Sequence, residues 1–160
     1  MTAKEYAEQV EKELKDSWLP QIYRERILKM RTRSYEFAAL QRNPHVEIQH
    51  TLLGVELKVG RRRLLCPDLP TARFLSVFAR VGCKEVAIPY DITKISRLAD
   101  ELESSWHRML LLANHYAVGR SEAFKNRINV LLIDRLRAEI SEAGAGTQMP
   151  EFKKSTKQRV

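Results

Sequence analysis

The sequence predicts an α+β domain with a long N-terminal helix, a small sheet of three antiparallel strands plus one further strand, and two long C-terminal helices. Three patterns carry this expectation. Apolar residues recur every three to four positions near both ends of the chain. Apolar residues alternate with polar ones at Val46, Ile48 and Leu52 and again at Val55, Leu57 and Val59. Glycine, proline and capping residues punctuate the segments between them.

The first helix is signalled by Thr2 and Glu5, which have the spacing of a capping box. Tyr6, Val10, Leu14 and Trp18 follow at four-residue steps and form one apolar stripe. Glu8–Lys12 and Glu11–Lys15 add favourable pairs one turn apart. Pro20 lacks an amide hydrogen and must kink or restart the helix. Tyr23, Ile27 and Met30 continue an apolar face, so helix is expected to persist to about Leu40. In that second half Arg26, Lys29 and Arg33 fall at i, i+3 and i+7, a cationic stripe able to track phosphates.

From His45 the period changes to two. Strands are expected at about 45–52, 55–59 and 62–66, with turns near Gly54 and at Gly60-Arg61, the alternative being one long strand with a bulge at Gly54. Opposed residues in an antiparallel pair share a face. One face then carries Val46, Ile48, His50, Leu52, Val55, Leu57, Val59, Leu64 and Cys66. The other carries His45, Glu47, Gln49, Thr51, Glu56 and Lys58, with Arg63 beside Lys58. Like charges opposed across strands repel, so Lys58 and Arg63 need an acid, solvent or a bound anion. Arg61, Arg62 and Arg63 sit at or beside a hairpin tip, a natural place for an anion contact.

Asp68 as N-cap, Pro70 in the first turn and Gly82 after the last predict a helix over about 69–81. "KEVAIPY" then reads as a short apolar strand. Asp91 or Thr93 caps a long helix whose apolar positions run from Ile95 to Leu110; Gly119 interrupts, and Ser121 starts another that ends near Gly144 and Gly146. Trp18, Trp106, Cys66 and Cys83 are expected in the core. The single domain should span 1–146, with 147–160 a flexible basic tail.

The formal net charge of +8 argues for an anionic partner, most simply nucleic acid. No apolar run is long enough to span a bilayer, the N-terminus has no apolar signal-like core, and the cysteines lack metal or redox spacing. A cytoplasmic protein without a membrane partner is the expectation. No Gly-rich phosphate loop, zinc-protease motif or serine-hydrolase elbow occurs. The apolar C-terminal helices also suit a homodimer interface, which would make the chain a non-enzymatic regulatory or interaction protein.

The order helix, three strands, helix, strand, together with Glu56-Leu57-Lys58 on a strand, resembles the PD-(D/E)xK nuclease superfamily. The Val55–Tyr90 stretch looks most like the Holliday-junction-resolvase pattern. That resemblance implies Mg2+- or Mn2+-dependent phosphodiester cleavage, with Glu56 a metal-binding acid and Lys58 the catalytic lysine. The chemistry needs both: carboxylates hold a hard cation, and the cation polarises the phosphodiester and acidifies water. The sequence departs from the family where an Asp after Pro is expected, because His45 follows Pro44. Glu47 shares the polar face with Glu56 and is the candidate substitute ligand, with His45 a further one. The triplet also occurs at Glu13-Leu14-Lys15 and Glu151-Phe152-Lys153, so its strand setting carries whatever meaning it has. The basic, nuclease-like reading therefore stands beside the plainer one, a solvated hairpin face.

Overall fold

The computed structural model describes residues 1–37 and 44–146. The predicted basic tail and the last residues of the predicted N-terminal helix lie outside these. Helix α1 spans Ala3–Leu14 and is closed by the capping box: Thr2 Oγ1 accepts from the Glu5 amide at 3.2 Å, and Glu5 accepts from the Thr2 amide at 2.7 Å. A 3-10 turn at Lys15–Ser17 ends it, and α2, Leu19–Ile22, restarts with Pro20 in the first turn. There the missing amide hydrogen has no helical partner to lose. A π-helical turn, Tyr23–Ile27, completes this arm.

The helix does not continue to Leu40. Thr32–Glu36 forms strand β1. Its alternation of Thr32, Ser34 and Glu36 with Arg33 and Tyr35 is a strand signal that the helical spacing upstream obscured. The expected Arg26, Lys29 and Arg33 stripe is consequently not a helical stripe. Arg26 lies in the π-turn, Lys29 in the connection and Arg33 on the strand.

Strands β2 (Val46–Thr51), β3 (Gly54–Val59) and β4 (Arg62–Cys66) form the expected antiparallel meander, order β2-β3-β4. Glu47 opposes Lys58, Gln49 opposes Glu56, and Lys58 opposes Arg63. The predicted faces are therefore realised. Leu57 is fully buried, and Val46 and Cys66 lie in the core beside it. Two residues change place. Leu52 sits in the two-residue turn and is fully exposed at 107%, and His50, on the apolar face opposite Val55, is exposed. A side chain at the tip of a turn extends past the element that would cover it.

Helix α3, Leu69–Val81, is capped by Asp68, whose carboxylate accepts from the Thr71 amide at 2.8 Å. Gly82 ends it at φ 86°, and an added Cβ would come within 3.2 Å of the Arg137 guanidinium. Glycine is favoured there by the left-handed backbone, and a larger residue would also press on the Arg137 side chain. Strand β5, Glu85–Pro89, pairs antiparallel with β1 as a separate two-stranded sheet. Asp91 caps α4, Ile92–Tyr116; Ser121 caps α5, Glu122–Ala143.

The core sits around α3, which packs against the apolar face of the meander on one side and α4 and α5 on the other. Phe74 and Phe78 are fully buried, their rings 5.2 Å apart, and Tyr23 stands edge-on to Phe78 at 5.6 Å. Burying side chains of this kind contributes about 1.5–3 kcal/mol each. Trp18 and Trp106 are buried, as are both cysteines, and burial pushes the Cys83 thiol up to about 12 and the Cys66 thiol above its usual value. Neither thiol is poised as a nucleophile. Among the described residues no helix is long and apolar enough to cross a membrane.

Candidate nucleic-acid interface

The outer face of the meander follows from its register. One row across the three strands reads Glu47, Lys58, Arg63, and the next reads Gln49, Glu56, Leu65. Glu56 and Lys58, two apart on the central strand, project together as expected. Glu47 stands diagonal to Glu56.

The carboxylates on this face are already engaged. Glu47 accepts from Gln49 Nε2 at 2.6 Å and lies 3.3 Å from His45 Nε2. The His45 and Gln49 contacts, with Lys58 adding charge, hold the Glu47 carboxyl below the usual range. Glu56 is largely covered, its side chain 13% exposed, and Arg63 Nη1 lies 3.9 Å from its Oε1. That oxygen is buried with no hydrogen-bond partner among the described residues. The Lys58–Arg63 repulsion is thus answered within the sheet: Lys58 has Glu47 on its far side and Arg63 reaches Glu56.

Among the described residues no group of three or more His, Cys, Asp or Glu side chains is placed to hold a metal ion. Glu47 and His45 partner each other, and Arg63 puts positive charge beside Glu56. A hard divalent ion takes six or so oxygen ligands. The arrangement of Glu47, Glu56 and His45 does not supply such a set among the described residues.

The cations sort more clearly. Arg24 pairs with Glu139, Arg26 with Glu101, Arg73 with Asp100 and Glu103, and Arg135 with Glu8 and Glu11. These ion pairs join helices. Arg26, expected to face nucleic acid, is thus tied to α4. By contrast Arg61 and Arg62 are exposed and form no ion pair among the described residues. They occupy the β3–β4 tip, where Gly60 adopts φ 61° and its amide donates to the His45 carbonyl at 2.8 Å. Arg62 opposes Val59 and so lies on the other side of the sheet from Arg63, which opposes Lys58. The tip therefore carries guanidinium groups on both sides of a narrow turn. Lys29 and Arg33 are also exposed and without an ion pair among the described residues, but on the β1 side of the molecule.

One constellation escaped the sequence reading. Arg31 lies directly across from Tyr90 at the end of the β1–β5 ladder, with its guanidinium 5.4 Å from the ring centroid. The signal was available in the alternation Arg31, Arg33, Tyr35, Phe37, once the segment is read with a period of two.

No family model, curated protein or solved structure matches this chain.

Proposed function

We propose that this chain binds nucleic acid, with the β3–β4 tip as its principal contact through Lys58, Arg61, Arg62 and Arg63. The observation that carries this proposal is the sorting of the cations. Most partnered arginines join helices, whereas Arg61 and Arg62 project from a tight turn and form no ion pair among the described residues. The net charge of +8 points the same way. Phosphate contacts of this kind position a backbone without reading sequence.

Binding driven by released counterions weakens with salt. Four phosphate contacts give a slope of log K against log salt of about −3.6 on duplex, or roughly a hundredfold loss between about 50 and 200 mM. Fluorescence anisotropy of a labelled oligonucleotide across that range measures it. Absent or salt-independent binding would overturn the proposal and leave a protein-partner role, including self-association through α4 and α5.

A second reading, metal-dependent phosphodiester cleavage, is favoured by one observation: Glu56 and Lys58 project side by side from the central strand, and Glu56 Oε1 lacks a hydrogen-bond donor. It requires Glu47 to leave His45 and Gln49. If it holds, Glu56→Ala and Lys58→Ala abolish cleavage in Mg2+ or Mn2+, and Glu56→Ala leaves binding intact. A wild-type protein that cuts no duplex, branched or single-stranded substrate with either ion would sink it.

A further inference from the structure

The two-stranded sheet separates its charges by face. Side chains alternate along a strand, and opposed residues share a side. On one side of β1 and β5 lie Thr32, Ser34 and Glu36 with Glu85, and the Ser34 hydroxyl donates to Glu85. On the other side lie Arg31 opposite Tyr90, Arg33 opposite Ile88, and Tyr35 opposite Val86. Among the described residues this second side carries two guanidinium groups and no carboxylate. Asp91, which follows Tyr90 in sequence, is occupied in capping α4, accepting from the Thr93 amide and hydroxyl.

Tyr90 is 43% exposed although Arg31 lies over its ring. Its amide donates to the Arg31 carbonyl at 3.1 Å, which sets the two residues side by side at the end of the ladder. A cation–π pair alone would account for Arg31 and Tyr90 as a clasp on the end of the ladder. It does not account for Arg33, exposed, diagonal to the same ring and without an ion pair among the described residues. Nor does it account for Lys29, exposed on the connection into β1. A flat π-surface held beside cations spaced along a strand is what an unpaired nucleobase and its phosphates need: the base stacks, the backbone is neutralised. The outer face of the meander differs. It carries Glu47 and Glu56 among its cations and no Phe, Tyr or Trp ring.

We infer that Tyr90 is a stacking platform for an unpaired nucleobase, with Arg33 and Lys29 holding the adjoining phosphates. The site takes a single-stranded segment of DNA or RNA. It rests on the reading of the chain as a nucleic-acid binder and adds a second, strand-specific contact to the β3–β4 tip.

The test compares labelled single-stranded DNA and RNA of roughly ten nucleotides with a blunt duplex of the same length, against wild type, Tyr90→Ala, Tyr90→Phe, Arg33→Ala and Arg61→Ala/Arg62→Ala. Tyr90→Ala should weaken single-strand binding roughly 5- to 150-fold without changing its salt slope, because a stack and not a charge is lost. Tyr90→Phe should bind like wild type. Arg33→Ala should lower the single-strand salt slope by about 0.7. Duplex affinity of Tyr90→Ala should be unchanged, which also shows that the variant is folded. Equal single-strand affinity in Tyr90→Ala and wild type, with binding still weakened in the double arginine variant, would overturn this site and leave the proposed function standing. An equal loss on strand and duplex would overturn it too. No binding by the wild type to any of the three would overturn both. A difference between the DNA and RNA arms identifies which strand the site takes.

Discussion

Replacing Arg61 and Arg62 together with alanine should weaken nucleic-acid binding roughly ten- to a hundredfold near 0.1 M salt and reduce the magnitude of the duplex salt slope by about 1.8. The effect is expected to be large because neither guanidinium is committed elsewhere. Both are exposed at the tip with no ion pair among the described residues, so each is available to a phosphate without first breaking a contact. Stability should hardly change, since exposed side chains at a turn pack against little. The contrasting variant is Arg73→Ala. Its guanidinium bridges α3 to Asp100 and Glu103 on α4, so a charge is removed from the helix packing and binding should persist. Equal losses from both variants would mean that net charge, not the tip, governs binding.

Tyr23→Phe should have the largest effect on folding for the fewest atoms removed. The Tyr23 hydroxyl accepts from the Ala87 amide at 2.9 Å and donates to the Gly144 carbonyl at 2.5 Å. One side chain thereby ties the arm after α2 to β5 and to the end of α5. Burial pushes its hydroxyl up to about 12, so it stays protonated and able to donate throughout the neutral range. Phenylalanine keeps the edge-on contact with Phe78 but leaves the Ala87 amide, on a fully buried residue, without an acceptor. An unsatisfied buried group costs about 1–3 kcal/mol, and with the second bond lost the total is about 2–4 kcal/mol. Thermal unfolding should fall by roughly 5–15 °C for a domain of this size. An unchanged midpoint would mean that water or a backbone shift replaces both bonds.

Most of the fold was legible because its signals are local. The bounds of α3 follow from Asp68 and Gly82, and the meander's faces follow from parity once two-residue turns are assumed. The strand at Thr32–Glu36 was not legible in the same way. Tyr23, Ile27 and Met30 maintain a helical period up to its edge, and its pairing partner lies some fifty residues later in β5. A five-residue strand whose partner is distant has little local signature. That miss concealed the Arg31–Tyr90 pair, which exists only because β1 and β5 lie side by side. It also shaped the expected cationic stripe, since Arg26, Lys29 and Arg33 share a face only if the helix continues.

The triplet Glu56-Leu57-Lys58 was legible as a same-face pair on a strand, and the structure places it so. What periodicity could not reveal is where the carboxylates turn. Glu47 goes to His45 and Gln49, and Glu56 goes toward Arg63, choices set by neighbouring side chains and not by strand parity. Parity fixes which residues share a face; it does not fix which of them meet.

The most direct measurement is a map of backbone amide chemical-shift changes in the labelled protein as a short duplex with a single-stranded overhang is added. The largest changes are expected at Lys58 and Arg61 to Arg63, with a second group at Arg31, Arg33 and Tyr90. Changes confined to the outer surfaces of α4 and α5, or none at all, would contradict it.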